Sequence, residues 1–271
     1  MTQLLIEAGR TEGQYWRDLW RYRELFYFLS WRDLLVRYKQ TFVGVGWSLI
    51  RPLLTMLVLT VVFGKLGKMP SGGVPYSLLV VCGMLPWQFF STAMSESGNS
   101  LVANSNLISK VYFPRLVIAI SSVITSFVDF LISALFLVAL MIWYRYAPPL
   151  TVVLLPFFVL LVFGASLGVG LWIAALMVEY RDFRFIVPFM VQFGLYISPV
   201  GFQSSVVPER FRLLYALNPM VGVIDGFRWC LLGAQNIYWP GLAVAVIDVT
   251  ILVASGIWYF RRTEQTFADV I

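Results

Sequence analysis

Residues 32–66 read "RDLLVRYKQTFVGVGWSLIRPLLTMLVLTVVFGKL" and change character part-way. The opening segment sets Arg32, Arg37 and Lys39 beside Tyr38, and two glycines follow, Gly44 and Gly46. From Trp47 to Gly64 the one ionisable residue is Arg51. A helix crossing the hydrocarbon core needs about 20 apolar residues, and fewer when other protein surrounds it. The stretch therefore reads as a cationic, aromatic approach to a first membrane crossing. Composition agrees: 59% of residues are hydrophobic, 13% are charged and the mean hydropathy is +0.80, whereas soluble chains carry about 25% charge. A soluble fold of 271 residues would need a polar skin that this chain cannot supply. It reads as an integral membrane protein.

Working outward, further apolar runs fall at 75–94, 116–144, 151–178, 185–199 and 238–260, after the first at 47–64. The third and fourth exceed one bilayer thickness and call for tilt or projection. The fifth is short, and the pieces that follow it, 204–217 and 220–235, are each too short to cross alone. The expected fold is all-α and polytopic: an amphipathic N-terminal interface helix, six transmembrane helices, and a re-entrant outer hairpin between spans five and six. The divisions are a cytoplasmic N-terminus (1–46), one membrane domain (47–260) and a cytoplasmic tail (261–271). With the N-terminus inside, thirteen of the twenty basic residues face the cytoplasm, six (Lys65, Lys68, Arg145, Arg210, Arg212 and Arg228) face outward, and Arg51 lies just inside the first span. That bias follows the positive-inside rule and puts both termini inside.

Several function classes are disfavoured. The net charge of +6 comes from cations that flank apolar runs, a placement suited to lipid headgroups and not to nucleic acid. Histidine is absent, which removes the commonest general base and metal ligand; no catalytic residue and no metal site are expected. No cleavable signal peptide is expected, because the first forty residues are charged and aromatic. Cys82 and Cys230 sit in apolar surroundings and read as packed thiols. No phosphate-cradling Gly-x-x-x-x-Gly-Lys-Ser/Thr run occurs, so ATP-driven work would need a second chain.

Residues 15–39, set at 100° intervals, place Trp16, Trp20, Tyr27, Trp31, Leu34 and Tyr38 on one stripe with cations beside it. Such a helix lies at the interface, with rings at headgroup level and cations toward phosphate. Ser30-Trp31-Arg32-Asp33 fits a capping box, which predicts two helices, the second running from 31 to about 42. Gly44 and Gly46 are then expected to turn the chain into the first span, with Arg51-Pro52 in that span's first turn. The segment is either an ordinary topological anchor or a working surface.

The 31–66 stretch, "NSNLISKVYFPR" (104–115), "SPVGF" (198–202), "LNPM" (217–220) and "FADVI" (267–271) together resemble the permeases of type-2 ABC exporters, the ABC-2 class. Within that class they resemble the polysaccharide branch that exports O-antigen, capsule and teichoic acid. The resemblance spans nearly the whole chain in order. It implies an ATP-driven exporter of lipid-linked polysaccharide in the bacterial inner membrane. It further implies a homodimer of this chain with two copies of an ATP-binding subunit, which would hold ATP and Mg. Membrane lipids and the lipid-linked glycan are the other implied partners.

The resemblance also gives roles to residues. The loop 95–115 would carry a coupling helix docking on the ATPase, with Asn104, Ser105, Asn106, Ile108, Lys110 and Tyr112; the alternative is a plain solvated loop. Trp31, Arg32, Arg37, Tyr38 and Lys39 would receive the lipid-linked head group at the inner leaflet. Pro199, Asn218 and Pro219 would belong to an outer gate, against the alternative of an amphipathic surface loop. Aromatic side chains suit a sliding sugar, so Trp87, Phe89, Phe90, Phe185, Phe189, Phe193 and Tyr196 are channel candidates. The last four fall on one helical face, though a lipid-facing or packed stripe explains them equally. Asp129 and Asp248 lie inside spans, where acids are costly; they are either polar contacts on the path or interhelical links. Rival readings are an exporter of a drug or small lipid, a membrane-embedded glycosyl- or acyltransferase, and a scaffold without transport.

Overall fold

The computed structural model describes residues 12–39, 42–111, 113–233, 237–264 and 267, with backbone alone at 12–14, 39, 42–49 and 51. Every regular element among these residues is helical. Helices α1 (Glu12–Arg21) and α2 (Arg23–Lys39) precede α3 (Phe42–Leu59), which widens into a π-helix at Thr60–Leu66. Helix α4 (Tyr76–Ala103) leads through the short α5 (Ser105–Lys110) to α6 (Leu116–Trp143). A 3-10 turn at Leu150–Leu154 opens α7 (Leu155–Glu179), and α8 (Phe183–Ile197) follows. After a 3-10 turn at Ser204–Val206 come α9 (Glu209–Tyr215), α10 (Pro219–Leu232) and α11 (Trp239–Thr263).

Among the described residues four helical stretches are long and apolar enough to cross a membrane: α4, α6, Leu150–Glu179 and α11. Two shorter apolar helices, Pro52–Leu66 and α8, fill the remaining expected runs. The chain is an all-α polytopic membrane protein.

Helix α4 is the axis of the packing. It is buried along most of its length by α6, α7 and α10, which explains why its apolar residues lack a one-sided pattern. Phe89 of α4 packs on Phe127, Phe130 and Phe163 with ring centres 5.4 to 6.2 Å apart. The helices around it turn Leu131, Leu135, Val138, Leu160, Ile247 and Ile251 outward, a surface that lipid tails can cover. Helices α7 and α11 touch through backbone: a Cβ added at Gly256 would stand 2.6 Å from the Gly168 carbonyl oxygen. Small residues allow that approach, and close van der Waals packing drives association where no hydrophobic effect operates between helices.

The N-terminal helices depart from expectation. The break falls at Tyr22, not at Ser30. Ser30 does not cap a helix; its hydroxyl donates to the Ser121 carbonyl at 3.3 Å. Arg37, seven residues on, meets Asp129 of α6. Helix α2 therefore runs beside α6 for about 10 Å at 1.5 Å per residue. Gly44 and Gly46 stand inside α3, not at a turn, and Pro52 is interior to that helix, not in its first turn. Residues 40–41, between α2 and α3, are outside the described set, and the Arg51 side chain is likewise outside it.

Candidate functional site

At one end of the bundle α2, α4, α5, α6 and the end of α11 converge. Arg37 bonds Glu96 at 2.6 Å and pairs with Asp129, and the Tyr38 hydroxyl donates to the same Asp129. Two acids and two donors thus join α2, α4 and α6. The Asp129 found in the sequence is an interhelical link, and its partner is the cation that had been given to a lipid head group. Arg32 bonds Asp33 at 2.8 Å and the Asn104 side chain at 2.9 Å, connecting α2 to the residue that precedes α5. Trp31 remains half exposed and stacks on Tyr27, centres 6.1 Å apart. The side chain of Lys39 lies outside the described residues.

The expected coupling segment forms a helix, α5, shorter than the 104–112 anticipated. Ile108 is buried against the chain's own core, with Leu101, Phe113 and Leu116, so it anchors α5 instead of facing a partner. Asn106, Ser109, Lys110 and Val111 point outward, and Ser109 and Val111 had not been singled out. Tyr112 is outside the described residues. The Asn104 side chain donates back to the Ser100 carbonyl at 2.8 Å and does not cap α5; Ser105 opens the helix.

Just beyond α5, the Arg115 amide donates to Glu264 Oε1 at 2.6 Å and its guanidinium reaches the Glu264 carbonyl. The Tyr15 hydroxyl donates to the other carboxylate oxygen at 2.7 Å, and Arg261 covers the Tyr15 ring at 4.6 Å. Burial pushes the Glu264 carboxyl above its ordinary value, against the opposing pull of the Arg115 amide and the Tyr15 hydroxyl. This clasp ties α1, the segment after α5 and the C-terminal end of α11. No sequence spacing announces it, because Arg115 and Tyr15 lie 149 and 249 positions from the Glu264 they bond.

The aromatic candidates divide. Phe185, Phe189, Phe193 and Tyr196 form one outward face of α8, between 54% and 78% exposed, with Phe189 and Phe193 stacked at 5.6 Å. Phe89 is 2% exposed and Phe90 is also buried, so within this chain both are packing residues. Trp87 is buried beneath α8, where a Cβ on Gly194 would stand 2.4 Å from its ring. Channel lining by Phe89 is thus corrected to core packing, because three neighbouring phenylalanines enclose it.

At the opposite end, α8 stops at Ser198-Pro199 and the chain folds back through α9 and α10. Asn218 caps α10: its Oδ1 accepts from the Met220 amide at 3.1 Å, and its Nδ2 donates to Ser198 Oγ at 3.0 Å. Pro219 opens the helix at N1, and Gly233 ends it at φ +60 in the left-handed cap conformation. The Asn218–Ser198 bond therefore joins the Pro199 turn to the Asn218-Pro219 start of α10. Arg228, counted in the sequence among outward flanking cations, is instead 1% exposed. Its guanidinium donates to the carbonyls of Phe202 (2.7 Å), Val200 (2.9 Å) and Leu79 (3.3 Å), pinning the 200–202 segment of the fold-back to α4. The Tyr76 hydroxyl adds a bond to the Gly201 carbonyl at 2.6 Å. One carboxylate oxygen of Asp248 on α11 has no partner among the described residues.

Among the described residues no cluster of three or more histidine, cysteine, aspartate or glutamate side chains could hold a metal ion. The arrangement is that of a helical bundle with a polar, cross-linked end, an outward aromatic ladder and a pinned fold-back at the other end. The family described as ABC-2 type transporter matches residues 24–232, most of the helical bundle.

The chain belongs to the ABC-2 transporter family.

The ABC-2 match takes in α2 through α10, and so includes both the cross-linked end and the fold-back. Among its relatives is the O-antigen export system permease protein RfbA of Myxococcus xanthus, 31% identical over 94% of this chain and 98% of that one. The protein of that name from Klebsiella pneumoniae is 26% identical, covering 92% and 95%. The polysialic acid transport protein KpsM of Escherichia coli is 21% identical, covering 86% and 91%. As an ABC-2 protein the chain is a membrane transport component.

Proposed function

We propose that this chain is the permease subunit of an ATP-driven exporter that carries a lipid-linked polysaccharide, of O-antigen or capsule type, out of the bacterial cytoplasm. The observation that carries the reading is the end-to-end correspondence with an O-antigen export permease, over 94% of one chain and 98% of the other. The geometry supports it. A chain that buries its own core around α4 yet leaves four rings in a row on α8 has a surface suited to saccharide C–H faces. Aromatic faces hold sugars without reading their order, which suits a polymer that must slide.

In this reading the subunit sits in the inner membrane with six crossings and both ends in the cytoplasm. Two copies would face each other with the α8 ladders toward the path between them. Two ATP-binding subunits, holding ATP and Mg, would press on the outward side chains of α5: Asn106, Ser109, Lys110 and Val111. Their motion would reach α2 through Arg32–Asn104 and α11 through Arg115–Glu264. The half-exposed Trp31, with Tyr27 beneath it, would meet the anionic head of the lipid carrier near the inner leaflet. The fold-back at Pro199, Asn218 and Pro219 would close the outer exit.

Deleting the gene and staining surface polysaccharide tests this reading. Loss of surface glycan with accumulation inside the cell, restored by the wild-type chain, is expected. Unaltered surface glycan in the deletion strain would overturn it. The pairing with an ATPase is tested by co-purification: the permease alone should hydrolyse no ATP, and Lys110→Glu with Val111→Asp should release the ATPase without unfolding the bundle.

A further inference from the structure

A cavity of about 360 Å³ lies where the α8–α10 connection, α10 and the start of α11 meet. Its volume falls in the lower part of the range of small-molecule sites. Gln203, Arg212, Tyr215, Asp225, Tyr238 and Leu242 are among its walls. Asp225 Oδ2 accepts from the Ser204 hydroxyl at 2.5 Å, while its other oxygen, Oδ1, is buried with no partner among the described residues. Gln203 is 5% exposed, and its Nε2 donor is also buried without a partner there.

Orphaned buried polar groups are rare and costly, and each calls for an explanation. Here one is an acceptor and the other a donor, and both belong to residues in the wall of the same cavity, where a small side-chain rotation would present them to a ligand. A hydroxyl both donates and accepts, so adjacent sugar hydroxyls satisfy such a pair. The Tyr215 hydroxyl is engaged by the Ile197 carbonyl at 2.8 Å, which holds its ring in the wall. Tyr215 and Tyr238 together supply the aromatic surface that a pyranose face needs. Arg212 does not make the site anionic-selective: it donates to the Val207 and Ser205 carbonyls and lies 3.7 Å from Glu209. With its guanidinium so engaged and Asp225 in the wall, the chemistry favours an uncharged sugar over an acidic one.

We propose that this cavity is a binding subsite for an uncharged pyranose unit of the exported glycan, at the end of the permease where the fold-back lies. The proposal rests on the polysaccharide-export reading for its ligand. A glycan leaving the path would dock one unit here through Asp225 Oδ1 and Gln203 Nε2.

The test uses the full chain in lipid nanodiscs, titrated calorimetrically with three probes. These are fragments of the producing strain's own surface polysaccharide, a neutral mannotriose and an acidic trigalacturonate. Binding is expected for at least one uncharged probe, with the acidic trimer at least about tenfold weaker. Gln203→Leu and Asp225→Asn should each weaken that binding by about tenfold or more. Ile237→Trp, which fills the cavity from its wall and replaces a side chain that makes no hydrogen bond, should abolish it and keeps the test decisive if Asp225→Asn misfolds. The subsite is overturned if no uncharged probe binds the wild type, if the acidic trimer binds best, or if all three variants bind as the wild type does. Failure of the export reading is seen separately, in a deletion strain whose surface glycan is unchanged whatever the titrations give.

Discussion

Arg228 is the side chain on which the fold-back depends. Three carbonyls from two segments accept from one guanidinium that water does not reach, and hydrogen bonds to charged groups are worth about 1.5–3 kcal/mol each. Arg228→Met should therefore cost at least about 3 kcal/mol, read as a lower thermal unfolding midpoint in detergent and less folded protein in the membrane. Arg228→Lys should fall between, since a point-like ammonium cannot span three acceptors as a planar fork does. A midpoint unchanged in Arg228→Met would show that the fold-back is held by packing alone. The role was hidden in the sequence because a lone arginine near the end of an apolar run has the look of a topological anchor. The signal that was available is Asp225 three positions earlier, a second charge on the same apolar helix. Ile108 was misread for a related reason: its place in a polar loop suggested a partner-facing residue, while its side chain fills the chain's own core.

Helix α2 is held to α6 by Ser30–Ser121 and Arg37–Asp129, and to α4 by Arg37–Glu96. Pairs in one network couple, commonly by about 0.5–3 kcal/mol. Arg37→Met and Asp129→Leu should each destabilise the protein, and the double variant should lose less than their sum. A double-mutant cycle on unfolding midpoints reads this out, and strict additivity would dissolve the pair. Substituting Arg37 as if it were a lipid-facing cation would thus mix two effects. The apolar runs told where most helices begin and end to within a few residues, since periodicity and charge punctuate them, but α4 runs on to Ala103 through the polar stretch read as the start of the 95–115 loop. They did not tell that α2 climbs along α6, because that depends on a carboxylate 92 positions away. The capping motif at Ser30 was locally sound, yet a tertiary hydrogen bond to Ser121 took the hydroxyl that would have capped.

For the bundle as a body, the distinction that matters is between surface met by lipid and surface met by a second copy. The α8 rings and the aliphatic faces of α6 and α7 are similarly exposed, and hydropathy treats them alike. This is why the sequence outlined a polytopic bundle but not which face points inward. Phe193→Cys should form a cross-linked dimer with a short bis-maleimide in native membranes, while Phe157→Cys, on α7, should not. The native Cys82 and Cys230 are buried and should stay silent. Equal cross-linking at both positions would remove the α8-facing dimer. Helix α10 has a further consequence for how the protein is made. It is fourteen residues long, holds a buried arginine and is enclosed by α4, α7 and α11, so it is too short to be threaded across a bilayer as a unit. Its socket does not exist until α11 has left the ribosome, so α10 can settle only after the helix that follows it has been made.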